Sequence, residues 1–122
     1  MIDGPAETVI WAATDHPVDN SKNEDTGTAR FSFPETGTTF IYSDFAPGTV
    51  SPVHATNTID YIVVLSGVAT IVTDTGETQL NPGDLFVDRG VSHQWRNDGD
   101  EPCRLVSVLV AAKPLGAGAT GL

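Results

Sequence analysis

The stretch of sequence that decides the fold reads Gly83-Asp84-Leu85-Phe86-Val87-Asp88-Arg89-Gly90-Val91-Ser92-His93. Earlier in the chain, His54, Thr56 and Asp60 precede a glycine turn at Gly67. Each stretch supplies one histidine from a region of short apolar runs. Two β-hairpins that each bring a histidine to one point are a means by which a small β-barrel builds an interior metal or substrate site. The two stretches together therefore predict a β-barrel with an internal site.

Short runs of β-branched and aromatic residues recur from Thr38 onward and are separated by Gly, Pro, Asn and Asp. Turn composition is clearest at Asp74-Thr75-Gly76 and at Asn81-Pro82-Gly83-Asp84, where Gly allows positive φ and Pro presets φ. Strands are predicted at residues 39–45, 60–65, 68–73, 77–80, 85–87, 93–97 and 104–110. No segment has apolar residues at helical spacing. This pattern is typical of an all-β sandwich or barrel.

The 122 residues are expected to form one domain with a single core. Residues 1–37 contain one apolar cluster, Val9-Ile10-Trp11, and a polar loop, so we expect an N-terminal strand and loop that pack on the barrel. Residues 38–112 are expected to form the barrel itself. Residues 113–122 are rich in glycine and predict a flexible C-terminal tail.

Sixteen acidic and six basic side chains give a net charge of −10. This charge repels phosphate backbones and anionic lipids, so neither nucleic acid nor a membrane is an expected partner. The single Cys103 excludes an intrachain disulfide and a cysteine-based metal site, which favours a reducing compartment. The chain shows no signal-peptide pattern and no apolar run of the ~20 residues that a membrane span requires. We therefore expect a soluble cytoplasmic protein.

Strand alternation predicts which polar side chains point inward. His93, Trp95 and Asn97 share one face, and the large apolar Trp95 draws that face inside. Ile62 and Val64 draw Asp60 inward in the same way, although a buried carboxylate is costly unless it is paired or bound to a metal. Two histidines and one carboxylate match the facial arrangement that holds Fe(II) and related ions. The alternative is that the histidines are hydrogen-bonded core residues and that Asp60 caps a turn or pairs with an arginine.

These residues resemble the two motifs of the cupins, and of a small single-domain cupin in particular. The first motif is matched by Gly48, His54, Thr56, Asp60 and Gly67, and the second by Gly83, Gly90, His93 and Asn97. The resemblance covers about residues 38–110 and implies an all-β double-stranded β-helix, or jelly-roll barrel. It also implies one divalent metal ion (Fe, Zn, Mn or Ni) and a homodimer.

The chain departs from the cupin motifs at three positions. Thr56 stands in place of the second histidine, Asp60 in place of the glutamate, and Asp88 in place of the proline. The resemblance therefore implies His54, Asp60 and His93 as metal ligands. Binding should be weaker than in four-ligand cupins, because a hydroxyl is a weak ligand and Asp reaches about 1.3 Å less far than Glu.

Three further residues are candidates for substrate contact. Thr56 could hydrogen-bond the substrate or a bound water, and Arg89 could bind a substrate carboxylate. Tyr42 could line the cavity mouth, although aromatics at alternate strand positions more often belong to the core. His16 is expected to be exposed in the N-terminal loop, with a role as an extra ligand from a partner chain as the alternative.

Three functions are compatible with these residues. The first is a metal-dependent enzyme that acts on a small oxygen-bearing organic substrate as a lyase, dehydratase, isomerase or oxygenase. The second is a metal-free acid–base lyase, in which His54 or His93 is the base and Asp60 orients it. The third is a barrel that binds or senses a small molecule without turnover. The absence of a helix-turn-helix segment favours an enzyme.

Overall fold

The computed structural model describes residues 5–114 of the chain, which form eight β-strands and no helix. The strands are β1 (Ala6–Ala13), β2 (Thr38–Phe45), β3 (Thr58–Ser66), β4 (Ala69–Thr73), β5 (Gly76–Leu80), β6 (Leu85–Asp88), β7 (Gln94–Arg96) and β8 (Cys103–Ala111). The described part of the chain has no helix that is long and apolar enough to cross a membrane.

The strands form two sheets with antiparallel neighbours. The larger sheet has the order β1-β2-β8-β3-β6 and the smaller one the order β5-β4-β7. The chain crosses between the sheets repeatedly, which is the arrangement of a double-stranded β-helix. The predicted fold class is therefore confirmed.

The core lies between the two sheets because apolar side chains alternate along the long strands. In β8 the residues Cys103, Leu105, Ser107 and Leu109 are buried, while their neighbours are less so. The main apolar cluster packs the rings of Phe45 and Trp95 against aliphatic side chains from both sheets.

The predicted strands agree with the observed ones to within two residues at each end. The largest difference is in the N-terminal region, where β1 extends over eight residues rather than only the Val9-Ile10-Trp11 cluster. β1 joins the larger sheet through β2, and Val9 also exchanges backbone hydrogen bonds of 2.8 and 2.9 Å with Thr28 of the following loop. Residues 113–122 were expected to form a flexible tail. All of them after Pro114 lie outside the described residues.

Candidate functional site

His54 and His93 lie side by side at one end of the barrel. His54 is in the connection between β2 and β3, and His93 immediately precedes β7. Each backbone N–H donates to the other residue's carbonyl at 2.9 Å, and the two ring centroids are 4.5 Å apart. The histidines therefore meet as predicted, but through an isolated bridge between connecting segments rather than from within two hairpins.

Each imidazole is held by the backbone carbonyl of the residue two positions before it. Nδ1 of His54 lies 2.9 Å from the Pro52 carbonyl oxygen, and Nδ1 of His93 lies 2.8 Å from that of Val91. A carbonyl oxygen only accepts hydrogen bonds, so Nδ1 of each ring carries the hydrogen. In the neutral form, the free lone pair of each ring is then on Nε2. This is the state in which an imidazole binds a metal ion or accepts a proton.

Asp88 supports His93 from inside the barrel and is almost completely buried. Its Oδ1 accepts hydrogen bonds from the backbone N–H of Gly90 at 2.9 Å and of Val91 at 3.2 Å. Its Oδ2 lies 2.9 Å from Nδ1 of His93, whose hydrogen points at the Val91 carbonyl. Within residues 5–114 this Oδ2 accepts no aligned hydrogen bond, so it acts on His93 mainly through its charge.

The pKa of His93 reflects opposing effects. Burial lowers it, but the contacts with Asp88 and the Val91 carbonyl, together with the charges of Asp88 and Asp60, outweigh burial and raise the pKa above 6.5. From motif spacing alone, Asp88 is recognisable only as a departure from the cupin motif. Alternation in β6, which places Asp88 on the same face as Phe86, was the signal that would have identified it as an inward-facing acid.

Asp60 points into the barrel at the end of a short chain of hydroxyl groups. The Thr58 hydroxyl donates to Asp60 Oδ1 at 2.6 Å and lies 2.8 Å from the Thr56 hydroxyl. Burial raises the pKa of Asp60, and the charge of Asp88 adds to that effect. Asp60 is therefore inward as predicted, but its hydrogen-bond partner is Thr58 rather than an arginine or a histidine.

These polar groups face a cavity of about 470 Å³. Its walls are mainly apolar, with side chains that include Phe31, Phe33, Ile41, Ile62, Trp95 and Leu109. The polar groups in its lining include His54, His93, Thr56, Asp60 and Glu7. A mostly apolar cavity of this size with a few convergent polar groups is typical of a site for one small organic molecule.

Two of the predicted substrate-contact residues lie elsewhere. Ile41 and Ser43 of β2 face the cavity, so alternation turns Tyr42 to the opposite face of the sheet. Arg89 is exposed in the turn after β6 and does not line the cavity. The structure therefore places Tyr42 and Arg89 outside the lining of this cavity. His16 is exposed in the N-terminal loop and is also absent from the cavity lining.

The N-terminal region contributes cavity residues that the sequence analysis missed. Glu7 enters from β1, and Phe31 and Phe33 enter from the loop that follows it. The Phe33 ring lies 6.2 Å from the His54 ring, centroid to centroid. The Glu7-x-Val9 alternation in β1 was a usable signal for Glu7, because the apolar Val9 marks the inward face.

The residues at this site fit a divalent metal ion in part. The two imidazoles with Nδ1 held by carbonyls are suitable nitrogen ligands, and the outer contacts of each ring resemble those that orient metal-bound histidines. However, residues 5–114 contain no group of three or more His, Cys, Asp or Glu side chains arranged to hold a metal. In the predicted third ligand, Asp60, one carboxyl oxygen, Oδ1, accepts the hydrogen bond of the Thr58 hydroxyl.

Comparison with known proteins identifies the family. Residues 41–109 match the family described as "Cupin domain", which is more than half of the chain. The chain therefore belongs to the cupin family. A double-stranded β-helix protein from Klebsiella pneumoniae is similar in structure, with a TM-score of 0.64, 20% identity and coverage of 89% of this chain and 78% of that one. A cupin domain from Bordetella pertussis gives a TM-score of 0.59 and 20% identity over 92% of this chain and 98% of that one.

Curated relatives come from fungi. The chain is 36% identical over 110 residues to a cupin-domain-containing oxidoreductase of Aspergillus ruber, covering 84% of this chain and 54% of the relative. It is 38% identical over 117 residues to a phomopsin biosynthesis cluster protein of Diaporthe leptostromiformis, covering 88% of this chain and 61% of the relative. The chain thus spans a little over half the length of these relatives.

Proposed function

We propose that this chain is a cupin enzyme that binds a small, largely apolar, oxygen-bearing organic molecule in the barrel cavity and acts on it at the His54–His93 pair. The observation that carries this proposal is the pairing itself. Two imidazoles adjoin at the cavity wall, and each has its Nδ1 tied to a carbonyl, so that both Nε2 atoms are free in the neutral state. A core histidine with a purely structural role does not need a second imidazole beside a cavity.

The proposed cofactor is one divalent metal ion held by His54 and His93, and Asp60 would become the third protein ligand only after its carboxyl turns from the Thr58 hydroxyl toward the imidazoles. When bound, such an ion supplies Lewis-acid polarisation of a substrate oxygen or, if it is iron, oxygen chemistry. The chain's own residues orient the imidazoles through Pro52 and Val91 and exclude water through the aromatic wall. Thr56 lines the same cavity, which supports a role for it in hydrogen-bonding a substrate oxygen.

The reaction class is proposed from the relatives. Several are named as cupin-domain-containing oxidoreductases, including those of Aspergillus ruber and Hypocrea virens. This chain spans little more than half of their length. We therefore include an oxidoreductase-type reaction in the proposal on the basis of these names.

The test of the metal proposal is elemental analysis of protein purified without chelators. We expect about one equivalent of iron, zinc, manganese or nickel in the wild type and at most a tenth of that in His54→Ala. His16→Ala is the matched control, because it removes an exposed histidine outside the cavity. Occupancy should also fall as the pH drops below about 6, since protonated imidazoles do not bind metal. Full occupancy well below pH 5 would contradict His54 and His93 as ligands.

A second candidate, metal-free acid–base catalysis, is supported by the buried contact between Asp88 and His93. In that case Nε2 of His93 accepts a substrate proton, and the Asp88 charge stabilises the imidazolium that results. The test is deuterium incorporation from D₂O into small carbonyl compounds by chelator-treated protein, followed by NMR. Exchange that is lost in His93→Gln would establish this mechanism, whereas binding with no exchange and no metal would indicate a non-catalytic binding protein.

A further inference from the structure

The charges around the cavity are unevenly distributed. Two carboxyl groups, Glu7 and Asp60, and two histidines line it, while no lysine or arginine from residues 5–114 does so. A carboxylate or phosphate on a ligand would therefore meet two acidic groups with no fixed positive charge to offset them. Amines and hydroxyls meet acceptors instead.

Glu7 enters the cavity from a different part of the fold than the histidines. It belongs to β1, the edge strand of the larger sheet, and it stands opposite Ser43 of β2 in the register. The Ser43 hydroxyl approaches Glu7 Oε2 at 3.4 Å, which is a long hydrogen bond. Among the described residues this is the one side-chain partner of Glu7, so the carboxyl retains most of its capacity to accept hydrogen bonds.

A structural role does not account for Glu7. Burial raises its pKa despite the opposing bond from Ser43, and the charge of Asp60 adds to the rise, so placing an acid here costs free energy. An apolar residue at an inward position beside Phe31 and Ile41 would avoid that cost. The position also lies outside residues 41–109, which are the residues that match the cupin family.

We infer that Glu7, assisted by Ser43, binds a part of the substrate other than the reacting group, and that this part carries a hydrogen-bond donor, an amine or a hydroxyl, rather than a carboxylate or a phosphate. This inference rests on the proposed function, because the bound molecule is a substrate only if the protein is an enzyme. The recognition itself requires only the cavity and the Glu7 carboxyl. Glu7 is thus a specificity residue supplied by the N-terminal strand.

The test uses three probes that share one aromatic ring and differ at one end: 2-phenylethylamine, 2-phenylethanol and phenylacetate. Binding to chelator-treated protein is followed by NMR shifts of His54, His93 and Trp95, which line the cavity. We expect the amine or the alcohol to bind at least about tenfold more tightly than phenylacetate, because a hydrogen bond to a half-buried acceptor replaces a like-charge contact.

Glu7→Gln decides whether that preference comes from Glu7. If the natural donor is an amine, the variant should lose about tenfold in affinity for 2-phenylethylamine and less than threefold for 2-phenylethanol, and the reverse ranking identifies a hydroxyl. Glu24→Gln is the control, because it removes the same charge from an exposed loop outside this cavity. Gln has the shape of Glu, and a thermal unfolding curve checks that the variant is folded.

Two results would overturn the inference: wild-type protein that binds phenylacetate as tightly as the other probes, or Glu7→Gln that binds all three probes as the wild type does. Failure here is distinguishable from failure of the proposed function, since no metal and no turnover enter the measurement. A Glu7-dependent preference in a protein without metal or activity would leave the recognition intact and remove the enzyme proposal.

Discussion

Asp88 combines two tasks in one buried side chain. One oxygen satisfies the backbone N–H groups of Gly90 and Val91, and the other places negative charge against Nδ1 of His93. A proline at this position, as in the cupin motif, could do neither. The substitution therefore adds both turn stability and an electrostatic partner for a histidine at the site.

The two tasks of Asp88 predict different phenotypes for two substitutions. Asp88→Asn keeps an oxygen for Gly90 and Val91 and should cost less than about 1 kcal/mol, whereas Asp88→Ala leaves two donors unsatisfied and should cost about 2–4 kcal/mol. Both should lower the pKa of His93, because the neighbouring negative charge is gone. Denaturant unfolding and NMR titration of metal-free protein measure the two effects. An unchanged His93 pKa in Asp88→Asn would contradict the electrostatic role.

The raised pKa of Glu7 predicts that replacing this residue stabilises the folded protein, and that the gain depends on pH. Its pKa in the folded protein lies above the ordinary 4.5, so the folded state keeps a proton that the unfolded chain has released, and stability falls as the pH rises through the folded value. Glu7→Gln cannot ionise. It should therefore raise Tm over the wild type by a few degrees at pH 7 and much less at pH 4, measured by circular dichroism. An equal shift at both pH values would show that ionisation of Glu7 does not cost stability.

Cys103 is expected to be chemically inert in the folded protein. It is completely buried, and burial, with a smaller effect from the charge of Asp44, raises its pKa to about 11. The thiolate is the reactive form, so reaction with a disulfide reagent at pH 8 should be at least about a hundredfold slower in native protein than in guanidinium chloride. A rapid native reaction would show that the β8 end of the barrel opens frequently.

At the scale of the strands, the sequence was sufficient where one face is apolar and the other polar. In β3, Asp60, Ile62 and Val64 were correctly assigned to the inside by alternation. In β2 the same reasoning was ambiguous, because Phe40 and Tyr42 on one face are as apolar as Ile41 and Phe45 on the other. Only the pairing of β2 with β1 and β8, which is not local in sequence, settles which face is inside.

The turn between β3 and β4 offers a test of backbone packing. Gly67 has a φ of +73°, and an added Cβ would lie 2.4 Å from the Pro102 carbonyl oxygen and 2.7 Å from Cys103 Cα. Gly83 has a similar φ of +86° but open space around it, so it is a matched control. Gly83→Ala should cost about 1–2 kcal/mol from the backbone conformation alone. Gly67→Ala should cost at least about 2 kcal/mol more, as measured by denaturant unfolding, and equal costs would contradict this packing.

At the scale of the whole molecule, the sequence predicted the polar residues His54, His93 and Asp60 of the candidate site but not the N-terminal part of the cavity wall. The motif spacing identified His54 and His93, and parity identified Asp60. Part of the remaining wall comes from residues 5–33, which reach the cavity through the pairing of β1 with β2 and the fold-back of the following loop. Such long-range placement leaves no periodic signal in the sequence, which is why Glu7, Phe31 and Phe33 were missed.

The larger sheet exposes an apolar outer face. Leu85 is 75% exposed and Val87 54% exposed, and Tyr61 and Phe40 are also exposed on that side. These residues line a shallow depression together with Val106 and Val108, and its described lining contains no charged residue. In a chain with a net charge of −10, an uncharged apolar surface is the part of the molecule that two copies can bring together with least repulsion.

We therefore expect a homodimer that buries this outer face. Light scattering after size exclusion should give about twice the chain mass of 12.8 kDa. Leu85→Lys should shift the mass to that of the single chain, because it places a charge in the apolar contact of each copy. Val18→Lys, at an exposed valine in the N-terminal loop, is the control and should remain dimeric. A single-chain mass for the wild type would contradict the dimer. A Leu85→Lys variant that stays dimeric would show that the dimer contact lies on another surface.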